Sequence, residues 1–131
     1  MKIQLLLFAF ALFTITAKAQ VGIGTTTPNS TLDVRGSLAT AYRAFSAGTT
    51  AAVTDNMLVF TGTSATTLTL PDATTCQGRY YWIKSTSSNS STLTIATTSS
   101  QTIDGIAFWT LTQTNKAVRL VSVQNAIPSI V

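Results

Sequence analysis

The segment RYYWIKS, residues 79–85, carries the pattern that decides the fold class. Successive side chains of a β-strand point to opposite faces, so Tyr81 and Ile83 share one face while Tyr80 and Trp82 share the other. Both faces are apolar, whereas a sheet with one solvated face shows apolar and polar residues in alternation. We therefore predict a strand whose second face is covered, either by another layer of the same chain or by a neighbouring subunit.

Short runs of the same kind recur along the chain, separated by residues that favour turns. The further predicted strands are TLDV (31–34), NMLVFTG (56–62), TLTLP (67–71), STLTIAT (91–97), QTIDG (101–105), AFWTLT (107–112) and AVRLVSV (117–123). No window shows sustained helical periodicity, and the strands recur about every ten residues, which predicts an all-β fold with an antiparallel sandwich or barrel-like domain. Asp104-Gly105 predicts a tight hairpin turn of type I′.

The strand 117–123 also has two apolar faces, with Val118 and Leu120 opposite Val121 and Val123. Aromatic residues carry much of the packing in cores and interfaces, and they also stack on sugar rings. The side chains predicted to form an interface or a glycan platform are Tyr80, Trp82, Trp109, Val121 and Val123.

The N-terminal residues have the pattern of an export signal. A basic start at Lys2 is followed by an apolar run over residues 3–15 and by Ala17-Lys18-Ala19. These features predict a signal peptide over residues 1–19 that is removed to leave Gln20 first. The apolar run is short for a membrane span, so we expect no span after cleavage and a secreted, cell-surface or periplasmic protein.

The composition excludes several classes of function. The 131 residues contain no histidine and one cysteine, Cys76, which argues against histidine-based catalysis, a metal centre and an intrachain disulfide. The basic residues are scattered singly, so we expect no nucleic-acid partner. Asp72 and Asp104 have the sequence context of turn residues. We therefore predict no catalytic residue, no metal and no cofactor, and the lack of a disulfide points to stabilisation by subunit partners.

The segment QVGIGTTTPNSTLDVRG, residues 20–36, contains two glycines but lacks the remaining features of a phosphate-binding loop. The apolar residues that alternate with small or polar ones in it are Val21, Ile23, Leu32 and Val34. A single strand pair is not stable alone, so these side chains are predicted to pack against another chain, and the resemblance described next implies that this packing forms the stem of a trimer. We assign residues 20–36 to this stem, 37–55 to an irregular connector and 56–131 to the β-sandwich domain.

The sequence VGIGTTTPNSTLDV resembles the G-I-G-T-x-x-P-x-x-x-L-x-V stalk motif of secreted bacterial proteins related to phage tail fibres. The region from NMLVFTG to VRLVSV is similar to a small β domain of the same proteins, with a strand ending in Leu-Pro, then WIK, LTI, TIDG and a final V-x-L-V-S strand. The resemblance implies an intertwined homotrimer that serves as a fibre, adhesion or attachment module. A single copy of the motif favours a short trimer.

The resulting prediction is an exported, non-catalytic structural or attachment module that acts as a homotrimer. One alternative is a monomeric carbohydrate-binding sandwich that uses Tyr80, Trp82 or Trp109 to hold a surface glycan. Another is a filament subunit in which a terminal segment adds a strand to its neighbour. A hydrolase built on the aspartates is the least favoured alternative, because turn roles account for these residues.

Overall fold

The computed structural model describes residues 20–86, 91–112, 115–123 and the backbone of 129–130, and the predicted signal peptide lies outside these residues. The chain divides after Ala39 into two units. In the described part of the first unit, β1 (Val21–Ile23) pairs in parallel with β2 (Leu32–Val34). The second unit begins at Thr40 and contains all the remaining strands.

Nine strands form two sheets in the second unit. The five-stranded sheet has the order β11 (Ser129–Ile130), β10 (Ala117–Val121), β7 (Tyr80–Ser85), β5 (Met57–Phe60) and β3 (Tyr42–Phe45). The four-stranded sheet has the order β4 (Thr49–Thr50), β6 (Thr66–Thr69), β8 (Leu93–Ala96) and β9 (Phe108–Leu111). A short 3₁₀ helix, Ala73–Thr75, lies between β6 and β7 in the chain.

The chain passes alternately between the two sheets and so builds three stacked coils. Each coil contributes one strand to each sheet, and the coils are β3–β4, β5–β6 and β7–β8. Consecutive coils pair in parallel in both sheets. The chain then reverses, because β9 pairs antiparallel with β8 and β10 pairs antiparallel with β7. The later strands thus cover the last coil on both sheets.

The core consists of the side chains that the two sheets direct toward each other. Leu58, Tyr81 and Ile83 from the five-stranded sheet and Leu68 and Ile95 from the four-stranded sheet have no exposed surface. The parallel register places Leu58 beside Ile83 and Leu68 beside Ile95, so equivalent positions of successive coils stack. This stacking supplies the apolar burial that stabilises the unit.

The all-β fold is confirmed, but the expected antiparallel pairing is wrong for most of the sheets. Five strand pairs are parallel and three are antiparallel. Side-chain alternation is the same in both kinds of strand, so the sequence pattern contains no information on direction. The link from one parallel strand to the next runs through the opposite sheet, which allows short turns.

Two predicted segments differ from the structure in their local conformation. The predicted irregular connector, residues 37–55, contains β3 and β4, and the sheets therefore begin earlier than residue 56. The predicted strand 101–105 forms only a bridge between Ile103 and Ile106. Asp104 and Gly105 between them have φ angles of 49° and 85°, which confirms the predicted type I′ turn.

An ion pair closes the first coil. Arg43 on β3 binds Asp55 through Nε and Nη2, and the Nη2–Oδ2 distance is 2.6 Å. Asp55 also accepts the Ala52 N–H at 2.7 Å, while Arg43 donates to the Thr50 carbonyl at 3.1 Å. The Arg43 guanidinium hydrogen bond holds the pKa of Asp55 below its usual range. The pair therefore joins β3 to the turn that leads from β4 to β5.

We expect Asp55→Asn to lower the free energy of unfolding at pH 7 by about 1–2 kcal/mol, because the charge-assisted hydrogen bonds to Arg43 are lost. A carboxylate with a lowered folded-state pKa stabilises the fold above its unfolded pKa of about 3.9, and this stability is lost as the pH falls through the folded-state value. Denaturation between pH 7 and pH 2 should therefore show the difference from wild type shrinking in acid. Asp33→Asn is the control, because the contacts of Asp33, a 3.8 Å ion pair with Arg35 and a hydrogen bond from the Asn29 N–H, lie in the first unit and outside the two sheets. An equal loss in both variants contradicts the role of Asp55.

Gly62 links β5 to β6 at a point where no side chain fits. A Cβ at this position meets the Ser46 carbonyl oxygen and the ring of Phe60. We expect Gly62→Ala to destabilise the protein by about 1–3 kcal/mol through overpacking. Gly48→Ala is the matched control, since a Cβ there makes contacts no closer than 3.5 Å. Chemical denaturation of both variants tests the prediction, and equal midpoints contradict it.

Candidate interaction surfaces

The first candidate surface lies on the β1–β2 pair, here called the stem face. The register places Val21 beside Leu32 and Ile23 beside Val34, so these four side chains share one face of the pair. Val21 and Ile23 are each 54% exposed and Leu32 is 59% exposed, while Val34 is half-buried. No residue in the range 20–39 is buried. A single chain therefore leaves this apolar face uncovered.

The glycines of the stem motif allow the backbone to fold closely on itself. A Cβ on Gly22 lies 2.5 Å from the Thr25 carbonyl oxygen, and one on Gly24 lies 2.7 Å from the Arg35 carbonyl oxygen. Gly24 also has a φ angle of 73°, which favours glycine. Both glycines therefore stand where a side chain would clash with a backbone carbonyl.

Backbone hydrogen bonds at both ends hold β1 against β2. The N–H of Val21 donates to the Thr31 carbonyl at 2.8 Å, and the N–H of Arg35 donates to the Ile23 carbonyl at 2.9 Å. The connection between the strands, residues 24–31, is shorter than the dozen or more residues usual for a parallel crossover. Asp33 steadies this loop by accepting the Asn29 N–H at 3.1 Å. The stem face is thus fixed in place by local geometry.

The second candidate surface is the outer face of the five-stranded sheet, here called the outer face. As predicted, Tyr81 and Ile83 point into the core, whereas Tyr80 and Trp82 remain 52% and 48% exposed. Val121, the cross-strand partner of Tyr80, is half-buried, and Val123 is 39% exposed. The two apolar faces that the sequence predicts for β7 and β10 are confirmed.

The strand register extends this surface beyond the residues that the sequence singles out. Trp82 lies beside Met57 on β5 and beside Arg119 on β10, and Met57 lies beside Tyr42 on β3. Tyr42 is 63% exposed. One row across four strands therefore carries two exposed aromatic rings, a thioether and a guanidinium. Tyr42, Met57 and Arg119 are missing from the sequence-based prediction, because only the register aligns them with Trp82.

The charges on the outer face have one sign. Lys84 and Arg119 point to it from β7 and β10, and the described strands direct no carboxylate to it. Neither cation forms an ion pair within the described residues. The surface is consequently aromatic and weakly basic.

Trp109 does not belong to the outer face. It lies on β9 of the four-stranded sheet, opposite Ile95, and packs against the border of the core. The structure brings Tyr80, Trp82 and Val121 together and separates Trp109 from them. Trp82 and Trp109, which the sequence offers as alternative platform residues, therefore lie on different sheets.

The carboxylates take part in structural contacts. Asp72 accepts the Thr74 N–H at 2.9 Å at the start of the 3₁₀ helix and the Gln101 amide at 2.7 Å. These hydrogen bonds lower the pKa of Asp72, with the Thr74 side chain as the largest cause. Gln101, which the sequence does not single out, is buried and also binds the Ala73 N–H. The predicted turn role of Asp72 is confirmed.

Cys76 is buried against polar partners. Its Sγ lies 3.3 Å from Ser122 Oγ, and the hydroxyl of Tyr81 donates to it at 3.8 Å. Burial raises the pKa of Tyr81. Cys76 is thus a free, buried cysteine. Within the described residues, no group of three or more His, Cys, Asp or Glu is placed to bind a metal ion.

The described part of the chain contains no helix that is long and apolar enough to cross a membrane. No protein-family model, no curated protein and no solved structure matches this chain. The stem face and the outer face are therefore interpreted from their own geometry and chemistry.

Proposed function

We propose that this chain is a non-catalytic structural or attachment module of an exported, fibre-like assembly, and that it acts as a homotrimer. The observation that carries the proposal is the stem face, where four apolar side chains lie in register on a strand pair and three of them are more than half exposed. The resemblance of the motif to stalk repeats of tail-fibre-like proteins favours three copies over two.

The energetics of the stem support association. A two-stranded sheet is marginal in water, and nothing in the range 20–39 is buried. Burying a Val, Leu or Ile side chain contributes about 1.5–3 kcal/mol. Copies that face each other around an axis bury the whole stem face, while Asp33 on the opposite side of the pair binds the Asn29 N–H of the connecting loop. The stem is thus apolar toward the axis and polar outward.

The remaining features agree with an exported protein without catalysis. The apolar run that precedes Ala17-Lys18-Ala19 supports export. The chain lacks histidine, and Asp55 and Asp72 are engaged in hydrogen bonds that hold turns together. The Ser- and Thr-rich surface suits strands that face solvent.

The outer face extends this proposal. A monomer seldom exposes a contiguous apolar patch of this kind, and a neighbouring subunit of the trimer is the occupant that we favour. A second candidate is attachment to a surface glycan, which the exposed rings of Tyr42 and Trp82 in the same row as Arg119 favour. These two roles predict different behaviour on truncation of Trp82.

We expect Ile23→Asp to weaken trimer formation by at least about 100-fold, equivalent to roughly 3 kcal/mol, because each copy buries an unpaired charge at the axis. Native mass across a dilution series measures the effect. Leu38→Asp is the matched control, since Leu38 is 73% exposed in the same unit and lies outside β1 and β2. Wild-type mass and melting temperature in the Ile23→Asp protein rule out the stem contact.

We expect Trp82→Ala to shift the assembly toward monomer on dilution, because buried aromatic residues dominate interfaces. Native mass and retention on immobilised glycans are measured in parallel. Val53→Ala, at an exposed position outside the strands, is the control. An intact assembly with lost glycan retention contradicts the interface and supports the glycan role.

A further inference from the structure

The edge of the four-stranded sheet at β9 lacks the usual protection against strand pairing. No described strand lies beside β9 on the side away from β8. Residues 106–112, IAFWTLT, contain no charge, no proline and no glycine. Proteins normally block such edges with charged residues, proline or very short strands. The edge strands β4 and β11 have two residues each, and β3 contains Arg43, so β9 is the least protected edge among the described strands of the second unit.

The hydrogen-bond pattern identifies which backbone groups of β9 point outward. The N–H groups of Thr66 and Leu70 donate to the carbonyls of Thr92 and Ala96, so the even-numbered residues of β8 bond toward β6. Leu93 and Ile95 therefore bond toward β9, and their partners there are Leu111 and Trp109. The N–H and C=O groups of Phe108 and Thr110 consequently point away from the sheet.

Two grooves follow the same edge. One has a volume of about 440 Å³ and is lined by residues 106–110. The other has about 280 Å³ and is lined by residues 109–112 with Lys116 and Ala117. Trp109 and Thr110 line both grooves, and Trp109 is only partly buried because the core ends beside it. The edge thus offers backbone groups for pairing and open space on both sides for side chains.

We propose that β9 joins two copies of this chain by antiparallel pairing across a two-fold axis at Trp109. Phe108 then forms a hydrogen-bonded pair with Thr110 of the partner subunit, and the symmetric pair forms on the other side of the axis. This arrangement uses every outward N–H and C=O group of Phe108 and Thr110. It also places Trp109 beside Trp109 of the partner subunit, so that each indole covers the open border of the other core.

The occupant is a second copy because the edge is complementary to itself. The two-fold axis pairs residues whose side chains point to the same face of the joined sheet. Core-directed side chains of one copy therefore lie beside core-directed side chains of the other. Antiparallel pairing also places the two Lys116 side chains at opposite ends of the joint, whereas parallel pairing places them at the same end. The edge strand is short, so a single pair of edges is weak and forms at high protein concentration.

The β9 contact is independent of the stem, which allows a separate test. Sedimentation velocity is measured over a dilution series for the full exported protein and for its Ile23→Asp variant. We expect the mass of each protein to double as its concentration rises, starting from the trimer in wild type and from the monomer in the Ile23→Asp variant. If the wild-type protein forms no trimer, the stem proposal is overturned and the β9 proposal is unaffected.

Thr110→Pro removes an outward N–H that the sheet does not use, a position where edge strands tolerate proline. Thr110→Lys adds a charge at the edge, and Thr110→Ala keeps the N–H as the control. We expect the dimer dissociation constant to rise about tenfold or more in the first two variants and to stay within about twofold in the third. Circular dichroism verifies that each variant folds. If Thr110→Pro does not fold, Thr110→Lys, a substitution at an exposed position, still tests the proposal.

The emission of Trp109 gives a direct readout in a Trp82→Phe background, where it is the remaining tryptophan. We expect its emission to change with concentration in parallel with the mass. Doubling that survives both Thr110→Pro and Thr110→Lys overturns the proposal. So does a mass that stays constant up to millimolar concentration, or an edge that captures an added strand peptide without pairing to itself.

Discussion

Parallel hydrogen bonding between successive coils is the constraint on which the second unit depends. Because β5 bonds to β3 and β7 on its two sides, the chain has to leave the sheet after every strand and return one strand further along. It does so through the opposite sheet, which forces tight turns. Gly62 is the residue that makes one of these turns possible, since its Cα lies against a carbonyl of the preceding turn and the ring of Phe60. Core, turns and register are therefore consequences of one winding pattern.

The sequence predicts strands where aromatic and β-branched residues cluster, and it fails where a charged residue takes an inward position. In β7 the run Tyr80-Tyr81-Trp82-Ile83 favours a strand although both of its faces are apolar, so the prediction succeeds. In β3 the inward position that stacks on Leu58 is Arg43, a charge that reads as a surface residue. Asp55, twelve residues away, neutralises it and binds it directly. An ion pair between residues so far apart cannot be recognised from the local sequence pattern. The sequence therefore places β3 in the predicted irregular connector.

For the candidate surfaces, the sequence predicts to which face of a strand a side chain points, but it does not predict which residues of neighbouring strands lie side by side. Successive side chains of a strand alternate between its two faces, so the sequence alone predicts that Tyr80 and Trp82 point away from the core. Register depends on the lengths of the coils, which place Met57 beside Trp82 across a long connection that contains β6 and the 3₁₀ helix. Tyr42 and Arg119 join the row through the same register. Trp109 does not join this row, because the alternation between sheets puts β9 on the other layer.

The two units differ in how much of their apolar surface a single chain buries. The second unit buries Leu58, Phe60 and Tyr81 completely, so most of its core forms within one chain. The first unit buries nothing in the range 20–39, although its backbone hydrogen bonds are formed. Hydrogen bonds contribute only about 0.5–1.5 kcal/mol each when exchanged with water, which is less than the entropy cost of ordering the residues that form them. In the proposed trimer the second unit therefore folds first, within one chain, and the stem becomes stable when copies meet. Assembly then depends on concentration even though folding of the β domain does not.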